Sequence, residues 1–184
     1  EDSTKYLFKI LYNRSTEEFV RIVETGVPNE EIDIDDGNYT LLQYVTLQGL
    51  KEPLTALLRS GINPNKTTDF EKRPPIIIAS QMKTHELLRV FIEMVPAEKL
   101  DINATDAKGN TALHYAAKNE DLDCVVDLIR LGANYHHKNV FDKPPLPANS
   151  VLYFLNKSLT TNSKYPEDED YELIFDYSFL LANK

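Results

Sequence analysis

The sequence predicts an all-α solenoid: four short helix pairs stacked in a row, a degenerate fifth copy that caps them, and a short β-strand at the C-terminal end. Three observations predict it. Thr40–Thr46, Pro74–Ser80 and Thr111–Ala117 repeat one pattern at intervals of roughly 35 residues, the period of a helix-pair array. Apolar residues recur at i, i+3 and i+4 in each copy, which marks one buried face on each helix. Glycines then punctuate the copies, with Gly26, Gly61 and Gly132 at the repeat ends and Gly49 between two helices. Helices of about eight residues do not persist alone in water, so each must bury its stripe against a neighbour.

The elements follow in order. In repeat one (1–33), Leu7, Ile10 and Leu11 form the stripe of the first helix, and Phe19, Ile22 and Val23 that of the second. Ser15 or Thr16, with Glu18 close behind, reads as the N-cap of that second helix. Repeat two (34–66) starts its first helix at Thr40 and closes at Gly61-Ile62-Asn63-Pro64-Asn65. Repeat three (67–103) starts at Pro74-Pro75, and its second helix carries Leu87, Leu88, Val90, Phe91 and Ile92. Its tail from Met94 to Leu100 is long and lacks the closing glycine. Repeat four (104–138) is the clearest copy. Residues 139–158 repeat the turn and helix start, but Pro147 interrupts them and only one amphipathic helix follows, as in a terminal cap. Residues 159–170 are a polar, acidic loop. From Tyr171 to Leu180 aromatic and apolar side chains alternate with polar ones, a strand pattern.

Composition sets limits on function. The 184 residues carry a net charge of −9, which opposes binding to phosphate-bearing nucleic acid or to an anionic membrane face. A single cysteine cannot form an internal disulfide. No apolar run approaches the ~18 residues of a membrane span, so no direct membrane insertion is expected. The chain opens with Glu1-Asp2 and reads as part of something larger. Four N-x-[ST] sequons, at Asn13, Asn38, Asn65 and Asn156, sit in turns rich in these residues anyway.

Reactive chemistry is not legible. Asp33-Ile34-Asp35-Asp36-Gly37 evokes a calcium loop, yet a loop counted from Glu31 puts Asp36 and Leu42 where Gly and Glu are needed. His136 and His137 are adjacent on a turn and point apart, His85 is distant, and no Cys or Asp completes a ligand spacing. No metal, cofactor or catalytic group is expected. No nucleophile elbow or phosphate-cradling glycine loop is found.

Asp106-Ala107-Lys108-Gly109-Asn110-Thr111-Ala112-Leu113-His114-Tyr115-Ala116-Ala117, closed by Gly132-Ala133, resembles the ankyrin repeat, with Ala112 replacing the proline of the T-P-L-H-x-A helix start. The resemblance implies a protein-binding scaffold and not an enzyme. It also implies that the His114 imidazole bonds turn backbone, with Thr111 closing onto it. The degenerate last copy, the acidic loop and Asp170–Leu180 further resemble the ankyrin-to-membrane linker of TRPA-type cation channels, the painless-like branch of insects above all. That implies a cytoplasmic N-terminal array ahead of six transmembrane helices in a homotetramer. Such channels pass cations, including calcium, in response to heat, irritants or mechanical stimuli. The array then contacts other subunits, the linker or the channel body. Chemical sensing in some relatives uses several reactive cysteines; here the one cysteine, Cys124, falls on an apolar helix position and reads as core.

In such an array partners bind the fingers and the groove face of the first helices. Register places Lys9, Tyr44, Ile78 and Tyr115 at one row and Leu47, Gln81 and Lys118 three residues further on, either exposed on the groove as interface anchors or packed against adjacent inner helices. Fingers add Asp36, Asn38, Asp69, Glu71, Asp106, Lys108 and Asp142, a mainly acidic set that predicts a basic or polar partner. Tyr171, Phe175, Tyr177 and Phe179 are the contact residues expected on the linker strand. Tyr6, Phe8 or Phe19 are expected to be uncovered on the first repeat.

Overall fold

The computed structural model describes residues 3–13, 15–26, 33–34, 38–82 and 85–146. The helix expected at 150–158, the acidic loop and the strand at 171–180 lie outside them, as does Asp36. Among the described residues the chain runs α1 (Ser3–Tyr12), α2 (Thr16–Gly26), β1 (Asp33–Ile34), β2 (Tyr39–Thr40), α3 (Leu41–Leu47), α4 (Lys51–Arg59), α5 (Pro75–Ser80), α6 (Glu86–Met94), α7 (Ala112–Lys118) and α8 (Leu122–Arg130). A single 3₁₀ turn, Ala97–Lys99, fills the long tail of repeat three. The four helix pairs are those the repeat predicts.

Two rows form. The first helices α3, α5 and α7 lie side by side, and the second helices α2, α4, α6 and α8 line up behind them. Between the rows runs one continuous apolar core, including Phe19, Leu41, Leu54, Ile76, Ile77, Leu88, Phe91, Leu113, Val125 and Leu128. Phe19 is fully buried, which corrects its expected exposure: α2 packs on α4, so its inner face is covered by the next repeat. Tyr6 is exposed and its hydroxyl donates to Glu18 at 3.2 Å. Ser15 also donates to Glu18, at 3.4 Å.

The finger of repeat two is a minimal antiparallel hairpin in which Asp33 pairs with Thr40 and Ile34 with Tyr39. Fingers lean on one another in sequence. The Thr68 hydroxyl donates to the Asn38 carbonyl at 2.5 Å. The Tyr39 ring meets Phe70 edge-on at 5.5 Å, and the Val140 N–H donates to the Lys108 carbonyl at 3.0 Å. Gly109, at φ +72, lies where that last contact is tightest, and a Cβ there would sit 3.2 Å from Asn139 Cα. The turn between first and second helices needs a left-handed residue. Gly49 supplies it in repeat two at φ 71, whereas Glu120 takes the same place in repeat four at φ 57 and bears the steric cost of its Cβ.

A candidate binding surface on the fingers and first helices

The start of each first helix sets the geometry of the surface. Thr40 caps α3: its hydroxyl accepts from the Gln43 N–H at 3.0 Å, while the Gln43 side chain accepts from the Thr40 N–H at 2.9 Å. The other end of the Gln43 amide donates to the carbonyls of Glu71 and Arg73, at 2.8 and 2.9 Å, in the next finger. Repeat four does the same with an imidazole. His114 Nδ1 accepts from the Thr111 N–H at 3.1 Å and Nε2–H donates to the Lys143 carbonyl at 3.1 Å. Lys143 and Arg73 occupy the same register position. The structural use expected of His114 is what the geometry shows. Burial lowers the pKa of its ring, outweighing the Lys143 carbonyl that favours the charged form.

Repeat three has no such strap, and the reason is local. Pro74 stands at the cap position with no N–H to satisfy and no hydroxyl to offer, so the residue three further on is the fully buried Ile77. This joint is held elsewhere. His85, just before α6, bonds Asp121 at 2.9 Å through Nδ1, and its Nε2 lies 2.9 Å from the Asn119 amide. Arg89 donates to both Asp121 oxygens, at 3.0 and 3.2 Å, and reaches Asp123 at 3.4 Å. Asp121 also caps α8 through the Cys124 N–H at 3.0 Å. Burial raises the Asp121 pKa, but the His85 bond, the Cys124 N–H and the Arg89 charge prevail and hold it well below the usual carboxylate range.

The sequence shows no ligand spacing around His85, but the fold brings an Asp and a Cys beside it. Donor atoms of His85, Asp121 and Cys124 all lie within 4.8 Å of one another. The residues are 36 and 39 positions apart in the chain, so no local ligand spacing could have revealed them. Their composition suits a soft metal ion, but their chemistry does not favour one. Both His85 nitrogens and both Asp121 oxygens already have protein partners, Arg89 adds positive charge, and burial pushes the Cys124 thiol pKa up, with Asp121 reinforcing it. Cys124 is fully buried, as its apolar position predicted.

On the groove side, Gln81 and Tyr115 do come together. Glu71 holds Arg73 at 2.6 Å, Arg73 donates to Gln81 at 2.6 Å, and Gln81 donates to the Tyr115 hydroxyl at 2.9 Å. The Tyr115 hydroxyl donates in turn to Asp106. Asp106 also accepts from the N–H groups of Lys108 and Asn110, at 2.8 and 2.9 Å. These bonds overcome its partial burial and lower its pKa. Of the two readings of the register row, packing holds for most of it. Ile78 is 2% exposed, because α5 has a first helix on each side; Tyr44 and Tyr115 are half-buried against the core. Leu47 and Asn38 are half-buried as well, whereas Lys9, Lys108 and Lys118 are exposed.

Most of the carboxylates counted on the fingers are engaged, although Asp69 is exposed. Glu71 is held by Arg73, Asp106 by its turn and Tyr115, and Asp142 by Lys138 at 2.9 Å. Lys72, Lys108, Lys118 and Lys143 are exposed and have no side-chain partner among the described residues.

Comparison with known proteins agrees with this architecture. The ankyrin repeat family model, three copies, matches residues 41–139, more than half of the chain. Alpha-latroinsectotoxin-Lt1a of Latrodectus tredecimguttatus is 37% identical over 93 residues, which is 50% of this chain and 6% of the toxin. The transient receptor potential cation channel protein painless of Drosophila melanogaster is 26% identical over 151 residues, 80% of this chain and 15% of the channel. Neurogenic locus notch homolog protein 1 of Homo sapiens is 32% identical over 87 residues, 45% of this chain and 3% of that protein. The chain thus spans a small part of the length of these relatives. Among the described residues no helix is long and apolar enough to cross a membrane.

Proposed function

The chain belongs to the ankyrin repeat family, and we propose that it is the non-catalytic ankyrin region of a TRPA-type, painless-like cation channel, non-selective and calcium-permeable. In this reading the array lies on the cytoplasmic side of the plasma membrane in a homotetrameric parent. It contacts other subunits or the linker and channel body, and couples their position to gating during sensory transduction. The observation that carries the reading is the extent of the painless match: 151 residues, against 93 and 87 for the toxin and the notch protein. The strand residues Tyr171, Phe175, Tyr177 and Phe179 are the proposed contact to the channel body, and Tyr44, Leu47, Gln81, Tyr115, Lys118, Asn38 and Lys108 the proposed groove contacts.

Mechanically, a stack of short pairs transmits force well. Each repeat touches only its neighbours, so a displacement at one end is passed through Gln43, the His85–Asp121 cluster and His114 in turn. The test is the parent sequence, in which six apolar segments of about 20 residues are expected to follow Lys184. Deleting Tyr171–Leu180 in that parent should then impair assembly or current; normal tetramers with normal gating would remove the coupling role.

That the repeats match proteins as unlike as a toxin and a notch protein, at higher identity than painless, supports a second reading in which the repeats are a general binding scaffold, a soluble ankyrin adaptor for a cytosolic protein. A parent that ends near residue 184, or continues without apolar spans, decides for it.

A further inference from the structure

Fingers four (106–110) and five (139–143) are fastened by two imidazoles that reach in opposite directions. His114, in α7, reaches forward, and its Nε2–H donates to the Lys143 carbonyl of finger five at 3.1 Å. His137 stands just before finger five and reaches back, donating through Nε2–H to the Gly109 carbonyl of finger four at 3.1 Å. The two rings meet edge to face with centroids 6.0 Å apart. Beside them the Val140 N–H donates to the Lys108 carbonyl at 3.0 Å, and the Asn139 amide to the Asn110 side-chain oxygen at 2.8 Å. The joint between repeats two and three makes the same kind of strap with Gln43, an amide that carries no charge at any pH. A titratable pair is therefore not needed to hold a finger, and its presence gives this joint a property that the other lacks.

We propose that the His114–His137 pair is an acid-operated release: protons on both rings detach finger five from finger four while the helix pairs stay folded. His114 Nδ1 is already an acceptor for the Thr111 N–H, at 3.1 Å. A proton there turns that acceptor into a donor. The Thr111 hydroxyl, 2.9 Å from the same nitrogen, can rotate to accept it. The Thr111 N–H cannot, and the residue is only 1% exposed, so water does not replace the lost partner. A proton on His137 then sets two cations 6.0 Å apart between half-buried rings. Little charge nearby offsets this. Asp106 favours the charged His114 ring, but it is already bonded to Tyr115 and to its own turn. In finger five Asp142 is held by Lys138, and Lys143 and Lys108 bring further positive charge. Burial first, and His137 second, lower the His114 pKa against the Lys143 carbonyl and Asp106. The detached joint therefore takes up the proton first, so the joint is closed above about pH 6.5 and opens as pH falls below it. Ala133 and Leu146 are buried in the core on either side, so the finger is released as a loop. Units of a solenoid contact only their neighbours, which keeps the change at this end. A partner that spans fingers four and five would be held at neutral pH and dropped in mild acid, whichever parent carries the repeats.

The test is amide hydrogen exchange on the whole 184-residue chain, read as protection relative to the intrinsic rate at each pH, with the imidazole signals followed by NMR in the same samples. Between about pH 7.5 and about pH 5, protection of the Val140 and Thr111 N–H groups should fall about tenfold, while Leu57 in α4 and Phe91 in α6 hold theirs. His137→Gln and His114→Gln each keep a donor for the finger carbonyl without a charge. Either alone should cut the fall to about twofold and the two together should abolish it, with neutral-pH protection unchanged. In His137→Gln the His114 ring should also take up its proton at a higher pH than in the native chain, a shift that a purely structural strap would not produce. A fall of the same size in the double variant overturns the proposal, as does one shared equally by Leu57 and Phe91. The native chain decides by itself as well: a His114 ring that titrates with no change at Val140 overturns the proposal whatever the variants do.

Discussion

Between repeats two and three the fastening is on the finger side: the Gln43 amide spans from its own cap to the carbonyls of Glu71 and Arg73. Between repeats three and four it lies at the opposite end, where His85 and Arg89 converge on Asp121. The first joint is made of neutral bonds to backbone, one buried and one half-buried. The second is an ion cluster at a helix start, partly open to water. Both replace something the repeat pattern alone does not provide, and Pro74 decides which is used. A residue without an N–H removes the need for a polar side chain three positions on, and the joint must be closed by other means.

Breaking the two joints separately is the most direct way to test that difference. Asp121→Ala strips a capping acceptor and leaves His85 and Arg89 without their anion. It is expected to cost about 3 kcal/mol and to split urea unfolding into two transitions, since the polar links then left between the third and fourth repeats are chiefly the groove-side Gln81–Tyr115 bond and the Asn103 bonds to the repeat-four turn. A loss below about 1 kcal/mol would show the cluster to be ornamental. Gln43→Ala strips the partner from one buried and one half-buried carbonyl and from the Thr40 N–H, for an expected loss of about 2 kcal/mol in the same assay. Here the transition should stay single, because the apolar contact of α3 with α5 remains.

His114 offers a sharper comparison with Gln43, since one does with a ring what the other does with an amide. His114→Gln should retain the strap to Lys143 and cost under about 1 kcal/mol, whereas His114→Leu should cost about 2 kcal/mol. Equal losses in the two variants would show that packing, and not the strap, holds the fourth finger.

Acid should separate the joints as well. The His114 ring has a lowered pKa in the fold, so the unfolded chain binds its proton first; stability is full above about pH 6.5 and declines as pH falls below it. The Asp121 carboxyl is depressed, so its contribution is present above about pH 4 and lost as pH falls further. Chemical denaturation across pH should show two steps, the upper one absent in His114→Gln and the lower one reduced in Asp121→Ala, where the depressed Glu71 and Asp106 carboxyls supply the remainder. The smallest effect concerns the helix turns. Glu120→Gly relieves a left-handed side chain where Gly49 already serves in repeat two, and should raise stability by about 1 kcal/mol.

Much of this was legible in the chain. The period, the stripes and the glycine punctuation fixed four helix pairs and placed Thr40, Pro74 and Thr111 at equivalent helix starts, because each repeat is a local unit whose signals lie within about 35 residues. The structural use of His114 followed from the resemblance to the ankyrin repeat, and the burial of Cys124 from its apolar helix position. The covering of Ile78 and Phe19 did not, since a register position says which way a side chain points and not what the next repeat brings against it. The Asp121 cluster was invisible for the same reason: His85 and Asp121 belong to neighbouring repeats, and only stacking makes them adjacent. The engagement of the finger carboxylates was hidden too, because counting them overlooks which are held by Arg73, Tyr115 and Lys138.

Sequence alone therefore determined what each repeat is, since helix period, capping and turns are set by residues near one another in the chain. Tertiary structure decided how the repeats are fastened and which charges remain free on the fingers. Those outcomes depend on pairs more than thirty residues apart, whose distance is fixed only when one buried face settles on the next.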